Sequence, residues 1–240
     1  MKWRSLPESN SGPDLRSLRV QFAERKDLIA KYVPADVQAV HERTVAVLKA
    51  QGLATRALGV GAKALSFELS DHDGMRVSSA ELLGKGPLVL CFIRGRWCPF
   101  CVGQVEAMNT IAERITDTGA SVVAISPQTE KQAYFMHDQH KLAFPLLVDA
   151  HNEVARRFGL VYRVPEEQQA IYRRTFVNLP FVDGDDSWEL PIPATYIVDR
   201  EGTILFASAN EDYMERPEPL EVLSALEAKK HSKRLSSGAE

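Results

Sequence analysis

The chain has 240 residues, of which 45% are hydrophobic and 25% charged, and its formal net charge at pH 7 is −3. This composition is typical of a globular protein that forms one domain with extensions, or two small domains. It gives no overall positive field for nucleic acid, and no apolar run approaches the roughly 18 residues that span a membrane, so neither partner is expected.

Residues 1–57 are predicted to form an N-terminal helical extension. Residues 14–31 and 34–51 carry apolar side chains at helical spacing, and Pro34 separates the two helices. Helices this short bury little apolar surface alone, so we expect them to pack on the main domain or on a second copy of the chain, as in a homodimer. Residues 1–8 lack the apolar core of an export signal, which favours a cytoplasmic protein.

Residues 58–229 are predicted to form an α/β domain, because short apolar runs alternate there with segments of helical periodicity. The predicted strands are 64–69, 88–93, 121–126, 146–149, 195–198 and 203–207. The predicted helices are 78–84, one that begins after residue 98, 130–140, 152–158 and 217–229. Residues 230–240 are polar and are expected to be a disordered tail.

The most informative segment joins a predicted strand to a predicted helix and contains Cys98 and Cys101. The six apolar residues 88–93 before it are typical of a strand buried on both faces. Pro99 suits the first helical position, which puts Cys98 at the N-cap and Cys101 in the first turn. Unpaired N–H groups and the helix dipole stabilise a thiolate at that place, and the thiolate is the reactive form. The pair is therefore predicted to be a redox-active centre.

The surroundings of the pair favour redox chemistry over metal binding. Arg94 and Arg96 add positive charge that favours a thiolate. Residues three apart on a helix have Cβ atoms about 5–6 Å apart, and a disulfide needs roughly 3.5–4.5 Å. An N-cap residue does not have full helical backbone geometry, so its Cβ can move closer to that of the residue three positions on. We therefore expect a Cys98–Cys101 disulfide.

Structural zinc would need a second pair of ligands beside the Cys-x-x-Cys. The chain has three cysteines, and Cys91 lies within the apolar strand, where a small core residue is expected. His137 and His140 share a helix face but have no third ligand near them in sequence. We expect no metal and no cofactor.

Residues 61–69, 122–126 and 192–199, together with Trp-Cys-Pro-Phe-Cys at 97–101, resemble the peroxiredoxin-like family, the alkyl hydroperoxide reductase/thiol-specific antioxidant group of the thioredoxin superfamily. The similarity covers roughly residues 60–213 and is greatest to the subgroup with a Trp-Cys-Pro-x-Cys motif. The resemblance implies a thioredoxin-like fold, with a central mixed sheet flanked by helices, and thiol peroxidase activity.

The chain also departs from that family. In the register of the family's Pro-x-x-x-Thr-x-x-Cys, the proline becomes Arg94, the threonine becomes Cys98 and the peroxide-attacking cysteine becomes Cys101. Pro193 replaces the arginine that the family usually carries before a later strand. Trp97 and Pro193 instead resemble thioredoxins, in which a cis-proline faces the cysteine pair. A cis Pro193 is expected on this basis, and an ordinary proline at a strand start is the alternative.

The leading hypothesis is a thiol peroxidase that reduces hydrogen peroxide or small organic hydroperoxides and is recycled by a thioredoxin-like reductant. The family register assigns peroxide attack to Cys101, whereas expected exposure at the N-cap favours Cys98. We assign Cys101 to peroxide and Cys98 to exchange with the protein partner. The expected substrate-positioning residues are Arg94, Arg96, Trp97 and Pro193.

Two other functions stay open. One is a thioredoxin-type oxidoreductase that acts on protein disulfides without peroxide turnover, and the other is a non-catalytic redox sensor. Gln128 either reaches the site or caps the following helix, and Trp188 walls either a pocket or an interface. The long segment 166–188 has no assigned role, and its acidic residues 183–186 are interpreted as a solvated turn rather than a calcium loop.

Overall fold

The computed structural model describes residues 14–175 and 177–237 of the chain. Residues 1–8, on which the cytoplasmic expectation rests, lie outside the described residues. Within the described ranges, no helix is long and apolar enough to cross a membrane.

Seven strands form a central mixed sheet, and two more form a small separate sheet. In chain order the strands are β1 (Glu68–Asp71), β2 (Arg76–Ser78), β3 (Leu88–Phe92), β4 (Ser121–Ser126), β5 (Leu146–Val148), β6 (Val161–Arg163), β7 (Glu189–Pro191), β8 (Ala194–Val198) and β9 (Ile204–Ala209). The large sheet has the order β2-β1-β5-β4-β3-β8-β9, in which β3, β4 and β5 are parallel and the other pairs antiparallel. Strands β6 and β7 pair with each other.

Helices surround this sheet, as expected for the predicted α/β class. They are α1 (Leu18–Tyr32), α2 (Ala35–Ala50), α3 (Leu53–Arg56), α4 (Ser79–Lys85), α5 (Pro99–Asn109), α6 (Ala112–Asp117), α7 (Glu130–His140), α8 (Glu153–Arg157), α9 (Glu166–Arg174), α10 (Leu179–Asp183) and α11 (Pro219–Ser237). A central mixed sheet flanked by helices is thereby confirmed.

Strand β3 lies at the centre of the core and explains the apolar run in the sequence. Val89 and Cys91 pack into the apolar cluster on one face of the sheet, and Leu90 and Phe92 pack into the cluster on the other. Successive side chains of a strand point to opposite faces, so a strand covered on both faces needs apolar residues throughout. Cys91 is fully buried, which confirms it as a core residue.

The N-terminal helices pack on the sheet domain, which was one of the two expected arrangements. Leu18 and Phe22 of α1 belong to the core cluster on one face, and Leu48 of α2 belongs to the cluster on the other. The guanidinium of Arg25 donates a hydrogen bond of 2.6 Å to the carbonyl of Pro99 at the start of α5. The division of the chain at residue 57 and the homodimer stay predictions.

Two expectations about the backbone are wrong. The described residues contain no cis peptide bond, so Pro193 is trans, and its carbonyl accepts a hydrogen bond from the amide of Asn210. It is a proline that precedes a strand, the alternative stated above. The last helix continues to Ser237, so residues 230–237 are helical rather than part of a disordered tail, and residues 238–240 lie outside the described residues. The physical reason is that no glycine or proline interrupts the sequence between Pro219 and Gly238.

Candidate active site

A sharp connection from β3 to α5 carries the cysteine pair. Gly95 has a φ of 128° in this connection, a value that favours glycine. Cys98 is the N-cap of α5 with extended backbone dihedrals, and Pro99 occupies the first helical turn. The amide of Cys101 donates a hydrogen bond of 3.0 Å to the carbonyl of Cys98. The sequence therefore predicted the local geometry of the pair correctly.

Hydrogen-bond donors converge on the sulfur of Cys101. The backbone amide of Arg94 lies 3.3 Å from its Sγ, and the guanidinium of Arg216 lies 3.6 Å from it. Burial raises the pKa of Cys101, but the hydrogen bond from Cys98, the charges of Arg216 and Arg94, and the Arg94 amide outweigh burial. The pKa of Cys101 is thereby held well below its ordinary value, which makes it the thiolate of the pair.

Cys98 has the opposite character. Burial, its hydrogen bond to Cys101 and the negative charge of Cys101 raise the pKa of Cys98 well above the ordinary value. Both thiols are free, and only 1% of the Cys98 surface is exposed. The expectation of an exposed N-cap sulfur is therefore wrong.

The physical reason is that other parts of the fold cover the start of α5. The rings of Phe22 and Tyr213 pack against Phe100 with centroid distances of 4.9 and 5.9 Å. Arg25 holds the carbonyl of Pro99 from the same side. An N-cap is exposed only where no other segment packs over the end of the helix. Here α1 and the segment after β9 both pack over the start of α5.

Arg216 is a site residue that the sequence reasoning missed. It lies between β9 and α11, 115 positions from Cys101. Its guanidinium also donates hydrogen bonds to the side-chain oxygen of Gln104 and to the carbonyl of Tyr213. Gln104 in turn donates a hydrogen bond of 2.9 Å to the hydroxyl of Thr195. Arg216 therefore places a positive charge beside the Cys101 sulfur, in a chain that has Pro193 where the family usually has an arginine.

Arg94 is almost completely buried beside the pair, with 1% of its surface exposed. Its guanidinium stacks on the rings of Trp97 and Tyr213, with Cζ 4.7 and 4.4 Å from the ring centroids, and donates a hydrogen bond to the hydroxyl of Tyr172. A guanidinium between aromatic faces retains its charge. The structure thus brings Arg94 and Trp97 together with the thiols.

Arg96, by contrast, is exposed and turned toward α7. Its Nε donates a hydrogen bond of 2.5 Å to Gln132, and its Cζ lies 6.0 Å from the ring of Phe135. Gln128 accepts a hydrogen bond of 3.0 Å from the Arg96 amide and makes no cap on α7, whose N-cap is Thr129. Gln128 therefore reaches the loop that carries the cysteines, which is the first of the two sequence alternatives, and does not cap α7.

Pro193 lies next to the end of β3, since Ala194 pairs with Phe92 in the sheet. It is buried beside the strand from which the loop of the thiols departs. A substrate-positioning role for Pro193 stays a prediction, and the expected cis peptide bond is absent.

The segment 166–188 contains α9 and α10, and it supplies Tyr172 to Arg94. Trp188 packs in the core under Arg173, whose Cζ lies 4.5 Å from its ring. Among the residues that the structure describes, no group of three His, Cys, Asp or Glu side chains could hold a metal ion.

Comparisons with known proteins identify the family of the chain. The model of the AhpC/TSA family matches residues 60–207. A putative peroxiredoxin of Mycobacterium tuberculosis is 30% identical over 156 residues, which cover 65% of this chain and 88% of that protein. The thiol-disulfide oxidoreductase ResA of Bacillus cereus is 20% identical over 160 residues, which cover 66% of this chain and 75% of that protein.

Among solved structures, the fold is similar to that of the peroxidoxin BcpB from Mycobacterium tuberculosis. The TM-score is 0.57 at 22% sequence identity, and the match covers 71% of this chain and 97% of that chain. The expected thioredoxin-like fold is confirmed.

Proposed function

The chain belongs to the AhpC/TSA family of thiol peroxidases, and from that premise we propose that Cys98 and Cys101 are its redox-active pair. The observation that carries the proposal is the set of donors at the Cys101 sulfur, which are the Arg94 amide, the Arg216 guanidinium and the Cys98 thiol. A buried thiolate with three donors is suited to nucleophilic attack.

In the first proposed step, the Cys101 thiolate attacks one oxygen of a hydroperoxide. The O–O bond breaks, the sulfur becomes a sulfenic acid, and the other oxygen leaves as alkoxide or hydroxide. Cys98 is hydrogen-bonded to the Cys101 sulfur and supplies the proton that this leaving oxygen needs. Sulfur is oxidised by two electrons and the peroxide is reduced by two.

In the second step, the thiolate left at Cys98 attacks the sulfur of the Cys101 sulfenic acid. The S–O bond breaks, hydroxide leaves and takes a proton from solvent, and a Cys98–Cys101 disulfide forms. Two thiols of a reductant then open this disulfide by exchange and are themselves oxidised to a disulfide. The i, i+3 spacing across the N-cap favours closure of the ring.

Arg216 and Arg94 are proposed to stabilise charge during the first step. Arg216 contacts the nucleophilic sulfur directly, so its charge also acts on the leaving oxygen. Arg94 is buried and close enough for its charge to lower the pKa of Cys101. Trp97 and Pro193 are proposed to border the site, and Arg96 is proposed to keep the loop in position through α7 rather than to contact substrate.

Family membership implies a hydroperoxide substrate and a thioredoxin-like reductant. We propose that hydrogen peroxide and small organic hydroperoxides are the substrates, and that the protein works in the cytoplasm, where reductants return the pair to the dithiol state. The division into an extension at 1–57 and a main domain at 58–229, and assembly as a homodimer, are part of the same proposal.

A second candidate function is thiol-disulfide exchange with protein substrates. The similarity to ResA and the Trp97-Cys98 sequence favour it. Burial of both sulfurs argues against it, because a protein disulfide needs more access than a peroxide. The non-catalytic sensor is disfavoured because the family is one of enzymes.

The test is peroxide consumption by reduced protein of known thiol content, supplied with thioredoxin and thioredoxin reductase. We expect many turnovers per dithiol. Reduction of insulin disulfides without peroxide consumption would instead support the second function, and slow stoichiometric oxidation with neither turnover would contradict both.

A further inference from the structure

The N-terminal helices reach the active site through His41 of α2. Its ring lies between those of Tyr172 and Tyr213, with centroid distances of 6.2 Å to each. Both tyrosines contact Arg94, Tyr172 through its hydroxyl and Tyr213 through the face of its ring. The side chains packed around Arg94 are therefore in contact with α2. This helix lies outside residues 60–207, the part of the chain that the family model matches.

A chain of hydrogen bonds joins His41 to Arg94. The amide nitrogen of Gln168 lies 3.0 Å from Nδ1 of His41 and 2.9 Å from the hydroxyl of Tyr172. Tyr172 also accepts a hydrogen bond from Arg94. Gln168 has two N–H donors, so both are engaged, one on each neighbour.

His41 can serve as the acceptor in this chain because its ring is neutral. Burial, and next the charge of Arg94, lower the pKa of His41 to about 4. At neutral pH one ring nitrogen therefore carries a lone pair, and Nδ1 is the nitrogen that faces the Gln168 amide.

The lone pair on Nδ1 of His41 favours the orientation of the Gln168 side chain in which the amide nitrogen, and not the oxygen, lies toward His41. With its nitrogen toward His41 and Tyr172, the amide donates to the tyrosine oxygen, and that oxygen presents a lone pair to Arg94. Gln168 is fully buried and Tyr172 nearly so, which leaves water little access to the hydrogen bond between them. If His41 no longer accepts this hydrogen bond, the side-chain amide of Gln168 is free to rotate. The hydrogen bonds that hold Tyr172 and Arg94 in position are then weakened.

We propose that His41 is a positioning residue, which acts through Gln168 and Tyr172 to hold the Arg94 guanidinium beside the cysteine pair. The inference rests on the proposed function for its catalytic consequence, but the acidity of Cys101 tests it without peroxide turnover. It makes the N-terminal extension a part of the active site.

The experiment measures the alkylation of Cys101 by iodoacetamide as a function of pH, with site-resolved mass spectrometry on the full chain. His41→Phe keeps a ring but removes the acceptor, and His41→Asn retains an acceptor near the Nδ1 position. Arg43→Gln is the matched control, because Arg43 pairs with Glu167 at 3.0 Å between the same two helices, on the exposed side.

In His41→Phe we expect the midpoint of the alkylation profile to rise by about half to one pH unit, and alkylation below the midpoint to slow about threefold to tenfold. His41→Asn should stay within about twofold of the parent, and Arg43→Gln should match it. Equal shifts in the Phe and Asn variants, or the parental profile in His41→Phe, would overturn the proposal.

Gln168→Leu provides an independent variant from α9 in case His41→Phe does not fold. It should give the same shift, and the double variant should shift no further, because both changes break one chain of bonds. Additive shifts would mean that His41 acts by another route and would overturn the proposal. A parental enzyme that shows the low midpoint but no peroxide turnover would contradict the proposed function alone.

Discussion

The guanidinium of Arg216 lies 3.6 Å from the sulfur of Cys101, although 115 positions separate the two residues in sequence. The side-chain oxygen of Gln104 accepts a hydrogen bond from that guanidinium, and the Gln104 amide nitrogen donates one to the hydroxyl of Thr195. In the proposed mechanism the Cys101 thiolate needs a nearby positive charge, and Arg216 would supply it from the segment after β9. We propose that this contact compensates for the departure from the family pattern at position 193.

The first prediction concerns this contact. Arg216→Met should raise the pKa of Cys101, because one of the charges that lower it is lost, and should slow peroxide reduction about tenfold to a hundredfold near neutral pH. The rate of the parent should fall only when the pH drops through the depressed pKa of Cys101, and in the variant that fall should occur at higher pH. Stopped-flow oxidation across a pH series measures both effects.

Arg19→Gln is the control for Arg216→Met. Arg19 lies on α1, has 80% of its side chain exposed and pairs loosely with Glu221 at 3.7 Å. Such a surface pair contributes little, so the parental rate and pH profile are expected. An unchanged profile in Arg216→Met would remove Arg216 from the mechanism.

The second prediction separates the two cysteines. Cys101→Ser should form sulfenic acid with hydrogen peroxide much more slowly than the parent, because burial, the largest cause of the raised pKa of Cys98, remains in the variant. Cys98→Ser should form a sulfenic acid that persists, since no neighbouring thiol resolves it. Trapping with dimedone and intact-mass measurement distinguish the products.

Cys91→Ala is the matched control, because burial raises the pKa of Cys91 to about 12 and the residue lies in the core. Peroxide turnover by this variant should equal that of the parent. Sulfenic acid formation in Cys101→Ser at the parental rate would assign the attack to Cys98 instead.

Local sequence patterns predicted the parts of the site that depend on local structure. The apolar run at 88–93 indicated the strand, and Pro99 indicated the start of α5, which together placed Cys98 at an N-cap. These features follow from periodicity and backbone preference within about ten residues.

The parts that depend on packing between distant segments were not predictable in this way. Arg216 and Tyr172 have no neighbouring motif that marks them, and they reach the site only because β9 and α9 bring them there. The exposure of Cys98 was misjudged for the same reason, since α1 and Tyr213 cover the helix start. The trans bond at Pro193 shows that a thioredoxin-like motif does not carry the whole thioredoxin geometry.

The third prediction concerns the buried carboxyl of Asp183 at the end of α10. Burial, and next the charge of Asp185, raise the pKa of Asp183 to about 8, and its Oδ1 is buried without a hydrogen-bond partner in the described structure. A group whose pKa is raised on folding gives stability at low pH that is lost as the pH rises toward the folded pKa. The parent should therefore lose free energy of unfolding between pH 5 and 8, by at most about 1.4 kcal/mol per pH unit from this group.

In Asp183→Asn the free energy of unfolding should not show this decline. The difference in free energy of unfolding between Asp183→Asn and the parent should therefore increase from pH 5 to pH 8 and stay constant above pH 8. Urea unfolding across the pH series measures the difference, from which titrations common to both proteins cancel. Asp186→Asn, an exposed change in the same loop, should follow the parental curve. A constant difference between Asp183→Asn and the parent would mean that Asp183 is ionised in the folded protein at pH 5.

The fourth prediction tests the loop that carries the cysteines. Gly95 has a φ of 128°, and a Cβ at this position would lie 3.1 Å from the indole nitrogen of Trp97 and 3.3 Å from the side-chain oxygen of Gln128. Gly95→Ala should therefore destabilise the protein by about 1–3 kcal/mol, through backbone strain and crowding. It should also slow peroxide reduction, because Trp97 stacks on Arg94 and Gln128 holds the loop amide.

Gly84→Ala is the matched control, since Gly84 lies in α4 and a Cβ there meets nothing within 4 Å. Alanine is the better helix former, so this variant should be as stable as the parent or slightly more stable. Urea unfolding and peroxide kinetics on both variants separate a general effect of glycine replacement from one specific to the loop. If Gly95→Ala retained parental stability and rate, the loop would tolerate a side chain at its tightest point, and the positions of Trp97 and Gln128 would not constrain the thiols.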